Sequence, residues 1–468
     1  MRRWLSFFLL VLLTIFCGWS GSGRAPRDPR LAGAFTRPPV NNWTFVHLQG
    51  TPSDIGFQNG YLLAPRIEDF EAVVKLEEQH NAHRNWQWFR GMAKNVMWPK
   101  IETQYRQELQ GIADGVDARG GHLDVWDIVA MNANEEWSYF VKQWDKEHPN
   151  SAQPPDSDPN QGDHCSAFVA TGAWTKDGKI VMAHNNWSPY MEGARWNIIY
   201  DVKPDQGQEF LMDGLPGVIV SDDDWAVNSA GIMLTETTIS NFHGYDFNGI
   251  PEFVRARKAM QYATSIDSFA RIMEAGNNGG YANDWLVADR KTNEIASLEL
   301  GLKVVTLQRT KSGYFVSSNF PINPKLAREE TTFNLHDPAN SENARHTRWL
   351  QLMKQYKGQI DPQLAEKFES DHYDVILHKI HPDQRTLCGH GDLAGPAYRD
   401  SGAVEGKVID SAMAARMSFI AVSGHPCGSK FSAAAFLQAH PQYDWQKPLL
   451  RDMNGYPWTP VSAAKGME

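Results

Sequence analysis

"HCSAFVATGAWTKDGKIVMAHNNWSPY", residues 164–190, sets two strand-like runs on either side of Asp177-Gly178. A tight Asp-Gly turn between apolar runs of this length reads as an antiparallel hairpin. The same texture continues in "WNIIYDV", "WAVNSAGIMLTETT", "DWLVADRKTNEIASLEL" and "KVVTLQRTKSGYFVSSN", punctuated by Ala-Gly, Thr-Asn and Ser-Gly. Consecutive antiparallel hairpins are the expected arrangement. One helical stretch, "PEFVRARKAMQYATSIDSFARIMEAG", interrupts them and stops at Gly276, and "ENARHTRWLQLMKQY" predicts a later helix.

Upstream of Cys165 the pattern changes. From Asp54 to about Asn134 the spacing is helical, with Ser53 or Asp54 as the expected cap of the first helix and Gly120-Gly121 closing "KIETQYRQELQGIADGVDARG". Residues 145–164, "DKEHPNSAQPPDSDPNQGDH", carry prolines, acids and small polar residues without apolar periodicity, so they read as an exposed linker that stops at Cys165. Grouped strands with grouped helices predict α+β layers rather than alternating βαβ units. The expected division is residues 1–22 as a signal peptide, 23–144 as a mostly helical N-terminal segment, 145–164 as linker and 165–468 as the strand-rich remainder.

The signal assignment rests on Arg2-Arg3 followed by an apolar run from Trp4 to Phe16 and then small residues. That run is shorter than the ~20 apolar residues that span a bilayer, and no later segment reaches that length, so export without a stable membrane span is expected. The destination is periplasmic or extracellular, or lysosome-like in a eukaryotic host. At 468 residues, 42% apolar and 21% charged, the chain has the composition of a globular protein. Net charge is −10, and residues 1–30, with five Arg and one Asp, leave −14 when removed. An acidic chain without a basic run offers no footprint for nucleic acid.

Of four cysteines, Cys17 leaves with the signal, so three enter an oxidising compartment. Cys388 and Cys427 lie in adjacent C-terminal segments and are candidates for a disulfide, which leaves Cys165 outside any pair. A cysteine that opens a strand directly after a linker is placed where a precursor can cut itself at His164–Cys165. The new α-amine, with an ordinary pKa of about 7.7–8.0, can then serve as general base for the thiol of its own residue. Such a site still needs donors for the oxyanion, which backbone N–H groups or an Asn side chain supply.

"CSAF", "IVMAHNNWSPY", "GLPGVIVSDDDWAVNSAGIMLTETT" and "NNGGYANDWLVAD", in that order, resemble the phospholipase B-like proteins. Through them the chain is similar to N-terminal nucleophile hydrolases and to the acyl-coenzyme A:isopenicillin N acyltransferase group. The resemblance runs from "HLQGTPSDIGFQNGYLLAPRI" to "VSGHPCGSKF". It implies a four-layer αββα sandwich of two antiparallel sheets flanked by helices, autocatalytic cleavage before Cys165, and hydrolysis of acyl amide or ester bonds through a thioester on Cys165. Light and heavy chains of one precursor would stay together as partners, with a lipid or N-acyl compound as small-molecule substrate and no cofactor or metal.

Residue by residue, the resemblance makes Cys165 the nucleophile, places His184 and Trp187 in a His-x-x-Trp element lining the site, and matches Thr237 and Thr238 to a threonine pair near the nucleophile. Asn283 matches an asparagine that holds the oxyanion, and Arg345 an arginine of the acyltransferase group. Simpler roles compete: a satisfied core histidine for His184, core or groove packing for Trp187, strand positions for Thr237 and Thr238, turn punctuation for Asn283, and a solvated helix face for Arg345. Three other functions remain open: an acyltransferase of the same fold, a non-catalytic secreted protein binding lipid or sugar on its Trp-rich surface, and a metal hydrolase using His372, His378, His381, His390 and Asp392. The spacing of the last set lacks the two-turn pairing of HExxH.

Overall fold

The computed structural model describes residues 28–149, 165–222, 225–393, 400–463 and 466–467. The expected signal peptide, His164 and most of the expected linker lie outside them. In chain order the strands are β1 (Phe35–Thr36), β2 (Thr44–Gly50), β3 (Ser166–Thr171), β4 (Val181–Pro189), β5 (Ile198–Pro204), β6 (Phe210–Gly214), β7 (Ala226–Asn228), β8 (Ile232–Thr238), β9 (Asn283–Asp289), β10 (Glu294–Leu300), β11 (Val305–Thr310) and β12 (Gly313–Ser317). A short hairpin, β13 (Tyr373–Asp374) and β14 (Lys379–Ile380), precedes β15 (Ser401–Asp410), β16 (Ser418–Ser423), β17 (Thr459–Ser462) and β18 (Gly466–Met467). The helices are α1 (Pro52–Ala82), α2 (Trp86–Met92), α3 (Thr103–Ala118), α4 (Val125–Asn132), α5 (Trp137–Glu147), α6 (Tyr190–Gly193), α7 (Glu252–Tyr262), α8 (Ile266–Glu274), α9 (Pro324–Glu330), α10 (Ser341–Gln355), α11 (Pro362–Glu369), α12 (Ser411–Ala414) and α13 (Ala433–Ala439).

Two large sheets carry the fold. One has nine strands in the order β1-β2-β5-β6-β7-β8-β9-β10-β11, and the other seven in the order β12-β3-β4-β15-β16-β17-β18. Neighbours are antiparallel except β2 and β5, which run parallel. Side chains alternate along each strand. Ala167 and Val169 of β3, Met182 of β4, Leu211, Met233, Leu286 and Ala288 fill the space between the sheets. Phe168, Ala170, Val181 and Ala183 point the other way, onto Trp349, Leu352 and Met353 of α10 and Phe368 of α11. On the far side of the nine-stranded sheet, Trp285 and Val287 pack in one core with Phe253 of α7, Phe269 of α8 and the N-terminal helices. Two sheets flanked by helices, an α+β architecture, thus match the expectation.

Besides its helices, the N-terminal segment contributes β1 and β2 to the nine-stranded sheet. Its first helix is capped by Thr51 rather than Ser53 or Asp54. Pro52 occupies the first turn, Thr51 Oγ1 accepts from Asp54 N at 3.2 Å, and Asp54 Oδ2 accepts from Thr51 N at 3.2 Å, a reciprocal capping box. This helix lies close against α3: a Cβ at Gly56 would stand 1.9 Å from the Glu108 carbonyl oxygen. Only glycine permits that approach. At the other end of the segment α5 reaches Glu147, so the first three residues read as linker are helical.

Two further differences have local causes. The helix expected over 251–276 is two helices, because Ser265 leaves helical geometry and caps α8 through a reciprocal box with Ser268. And β11 does not form a hairpin with β12. The half-exposed β11 edges the nine-stranded sheet, whereas β12 pairs with β3 in the other, Ser317 opposite Ala167. The chain crosses between sheets at Lys311-Ser312, where apolar β12 gains the cover of α10.

Candidate active site

Cys165 precedes β3, a strand held between β12 and β4. Its side chain is buried, and its sulfur lies 3.9 Å from Asn186 Oδ1. The Cys165 sulfur, a His184 ring nitrogen and a Glu236 carboxylate oxygen come within 4.8 Å of one another, although they arise from the residue before β3, from β4 and from β8. Tyr281, in the left-handed region at φ 50, donates its hydroxyl to Glu236 Oε1 at 2.8 Å.

Register settles which residues of "HNN" face inward. His184 lies opposite Ala167, which belongs to the inter-sheet core, and Asn186 shares its face. Asn185 points into the opposite layer, where its Nδ2 donates to the carbonyls of Glu369 at 2.7 Å and Leu387 at 3.0 Å. Trp187 shares that outer face and donates from Nε1 to the Leu387 carbonyl at 3.3 Å. Trp187 therefore lies behind the strand that carries His184. Its ring supports Arg345, whose guanidinium carbon stands 4.6 Å from the ring centroid.

Arg345 is fully buried, not on a solvated face. From α10 its Nη1 donates to the Cys165 carbonyl and, at 3.0 Å, to Ser166 Oγ; its Nη2 donates to Asn319 Oδ1 at 3.1 Å and its Nε to Ser341 Oγ at 3.0 Å. A planar fork with this many fixed acceptors holds the start of β3 in one orientation. Asn319 is a further member of this network. Adopting φ 64 at the end of β12, it donates from its backbone N–H to Thr237 Oγ1 at 3.1 Å and from Nδ2 to the Thr238 carbonyl at 2.8 Å, tying β8 of one sheet to the head of β3 in the other. Its signal was the polar run Ser317-Ser318-Asn319 ending an apolar strand. Glu236 lies between two threonines in "TETT", a strand pattern that does not by itself mark a carboxylate beside Cys165.

The threonines take different faces. Thr237 Oγ1 meets Ser317 Oγ at 2.5 Å across the inter-sheet space, while Thr238 turns to the other side, directly opposite Asn283 in the β8–β9 ladder. The Asn283 side chain is fully buried, and both its amide nitrogen and oxygen lack a hydrogen-bond partner among the described residues. An orphaned buried amide costs about 1–3 kcal/mol per group, so it marks a place where a ligand's polar atom would be welcome. Beside Thr237, Asp284 has its carboxyl pushed up to about 6 by burial, opposed by hydrogen bonds from Ser297 and Ser317. A buried triad joins the sheets nearby: Lys407 Nζ of β15 contacts Asp213 Oδ2 of β6 at 3.0 Å and Glu405 Oε1 at 2.5 Å.

Cys388 and Cys427 are free cysteines, not a disulfide. Neither touches Cys165; both flank His390 in the loops behind Trp187.

Together, the two-sheet α+β sandwich and a cysteine-centred polar site at the head of β3 define a class of relatives. Within that class the chain belongs to the phospholipase B family, whose pattern matches residues 56–308, more than half of its length. It is 24% identical over 438 residues to human phospholipase B-like 1, covering 79% of this chain and 74% of that protein. It is 22% identical to phospholipase B-like protein A of Dictyostelium discoideum, covering 53% and 52% respectively. It is 23% identical to phospholipase B of Crotalus adamanteus, covering 56% and 52%. The chain spans about half the length of most curated relatives it matches. Among the described residues no helix is long and apolar enough to cross a membrane.

Proposed function

We propose that the protein is an exported, self-processing hydrolase of acyl ester or amide bonds, built as an N-terminal nucleophile enzyme on Cys165. One observation carries this reading: the sulfur just before β3, an inner strand of the seven-stranded sheet, is buried beside an imidazole and a carboxylate, while the Cys165 carbonyl is clamped by Arg345. In maturation, the Cys165 thiolate attacks the His164 carbonyl carbon and the Cys165 nitrogen leaves as an amine. Water then hydrolyses the resulting thioester, leaving a carboxylate on His164 and a free α-amine on Cys165. That amine has an ordinary pKa of about 7.7–8.0, suited to taking the thiol proton near neutral pH.

In turnover the same sulfur attacks the substrate acyl carbon, the alcohol or amine leaves with a proton, and water resolves the second thioester. The assignment of Asn283 as oxyanion donor rests on the resemblance; its buried amide has no hydrogen-bond partner among the described residues. His184 faces the same inter-sheet space as the nucleophile's strand, and Arg345 acts as a positioning residue through the Cys165 backbone. The segment ending at His164 becomes a light chain and the segment from Cys165 a heavy chain, held together by the shared nine-stranded sheet. The names of the relatives favour phospholipid esters as the first substrate class to test.

The test exposes wild type, Cys165→Ala and Cys165→Ser to a phosphatidylcholine and to an N-acyl amide, with acid quench and peptide mass spectrometry. The reading requires an acyl adduct on the Cys165 peptide of wild type, and fatty-acid release that is lost in Cys165→Ala and poor in Cys165→Ser. Undiminished release by Cys165→Ala would remove the nucleophile and the proposal with it.

A further inference from the structure

A second cluster of metal-type ligands lies apart from Cys165. His372 follows α11, Cys388 and His390 sit two residues apart in the next loop, and Cys427 lies in the turn after β16. One ring nitrogen from each histidine and the two sulfurs lie within 4.8 Å of one another. His390 Nε2 is 3.7 Å from Cys388 Sγ and 3.6 Å from Cys427 Sγ. A tetrahedral zinc ion, with bonds of about 2.3 Å to sulfur and about 2.0–2.1 Å to nitrogen, sets sulfur-to-nitrogen edges of about 3.6 Å. Two edges of the cluster therefore already have the length that zinc imposes.

We propose that His372, Cys388, His390 and Cys427 form a structural zinc site. All four positions are filled by protein ligands, leaving no open vertex for a substrate, which is the pattern of a structural rather than a catalytic ion. The next shell has the expected form. His390 Nδ1, the nitrogen turned away from the sulfurs, lies 3.6 Å from Asp392 Oδ1, and that oxygen accepts from the Tyr190 hydroxyl at 2.8 Å. A carboxylate behind a ligating histidine fixes the tautomer and aims the other nitrogen at the metal. His372 Nε2 is shut off from solvent and has no hydrogen-bond partner among the described residues, an orphan that coordination of the cluster would relieve.

The two histidines nearest in sequence take no part. His381 faces Asp383 at 3.3 Å, and His378 occupies the left-handed region at φ 52 in the β13–β14 turn. The ligands come instead from three segments that the chain brings together only on folding. Their fastening has a consequence for the first site. The loop they hold presents the Leu387 carbonyl to Asn185 and Trp187, and Gly389 lies so close that a Cβ there would stand 1.8 Å from the Trp187 ring. Zinc would lock the wall on which Arg345, and through it Cys165, is supported.

The full chain, purified without added metal or chelator, is analysed for metals by mass spectrometry beside Cys427→Ser, His390→Ala and Cys165→Ala. The proposal requires about one zinc per chain in wild type and Cys165→Ala, and a fall of at least tenfold in the other two. Because those variants can misfold, wild-type protein is also stripped and reloaded with cobalt, for which thiolate-to-cobalt charge-transfer absorption is expected. Peptide mapping that finds a Cys388–Cys427 disulfide, or a reduced protein that takes up neither zinc nor cobalt, overturns the proposal. Zinc retained at wild-type level by folded Cys427→Ser and His390→Ala overturns it equally.

Discussion

Replacing Asp284 by Asn should change how stability depends on pH, because this carboxyl lies buried between the sheets beneath the Thr237–Ser317 pair. Asp284 faces Thr237 across the β8–β9 ladder and accepts from Ser297 Oγ at 2.6 Å. Burial pushes its carboxyl from 3.8 up to about 6, the serine hydrogen bonds opposing the shift. The folded protein therefore holds this proton to higher pH than the unfolded chain does. Stability from this group is full below about pH 4 and is lost as pH rises through about 6. A difference of about 2 between folded and unfolded values, at 1.36 kcal/mol each, corresponds to about 3 kcal/mol. Asn keeps the shape and an acceptor for Ser297 but has no proton to lose.

The quantity to measure is the stability of Asp284→Asn minus that of wild type, from denaturant unfolding followed by tryptophan fluorescence at pH 4 and pH 7. Comparing that difference between the two pH values cancels whatever the substitution does to packing. It should move by about 2 kcal/mol in favour of the variant between the two pH values. Glu299, pushed up to about 8 by burial and then by the Asp284 charge, adds a change of the same sign at higher pH. A difference that stays within about 1 kcal/mol across this range would refute the reasoning.

Other substitutions test the supports of the site. Gly389→Ala places a methyl 1.8 Å from a Trp187 ring carbon, so it should destabilise by about 1–3 kcal/mol in thermal unfolding, and Trp187→Phe in the same chain should recover part of the loss. Lys407→Met removes the buried cation between Asp213 and Glu405 and should cost about 3–5 kcal/mol; a loss below about 1 kcal/mol would show that the triad is not held as a charged unit. Arg345→Lys keeps the charge but not the fork that spans Cys165, Ser166, Ser341 and Asn319, so it should lower stability by about 2–4 kcal/mol and slow acyl release.

The two-sheet core was legible because its strands announce themselves by alternation and by Asp-Gly or Thr-Asn turns. What period 2 cannot supply is partnership. "KVVTLQRTKSGYFVSSN" reads as a hairpin, yet its halves belong to opposite sheets, because the turn at Lys311-Ser312 is local while the choice of partner rests on the cover that α10 gives β12. Likewise "AHNN" fixes that neighbours face opposite ways but not which faces inward; that followed from the pairing of His184 with Ala167. Arg345 was legible as a residue and not as an environment, since one arginine on a polar helix looks solvated until Asn319 and the Cys165 carbonyl are brought beside it. The four residues proposed for zinc were split between a disulfide and a histidine set, because their ligating atoms meet only through contacts distant in sequence.

The most direct test of the account is the intact mass and N-terminal sequence of the purified full chain beside Cys165→Ala. The account predicts two fragments in wild type, the larger beginning Cys-Ser-Ala-Phe, and an uncut junction at 164–165 in the variant. A single wild-type chain that remains uncut at that junction while it is active would contradict it, since Cys165 would then have no α-amine to use.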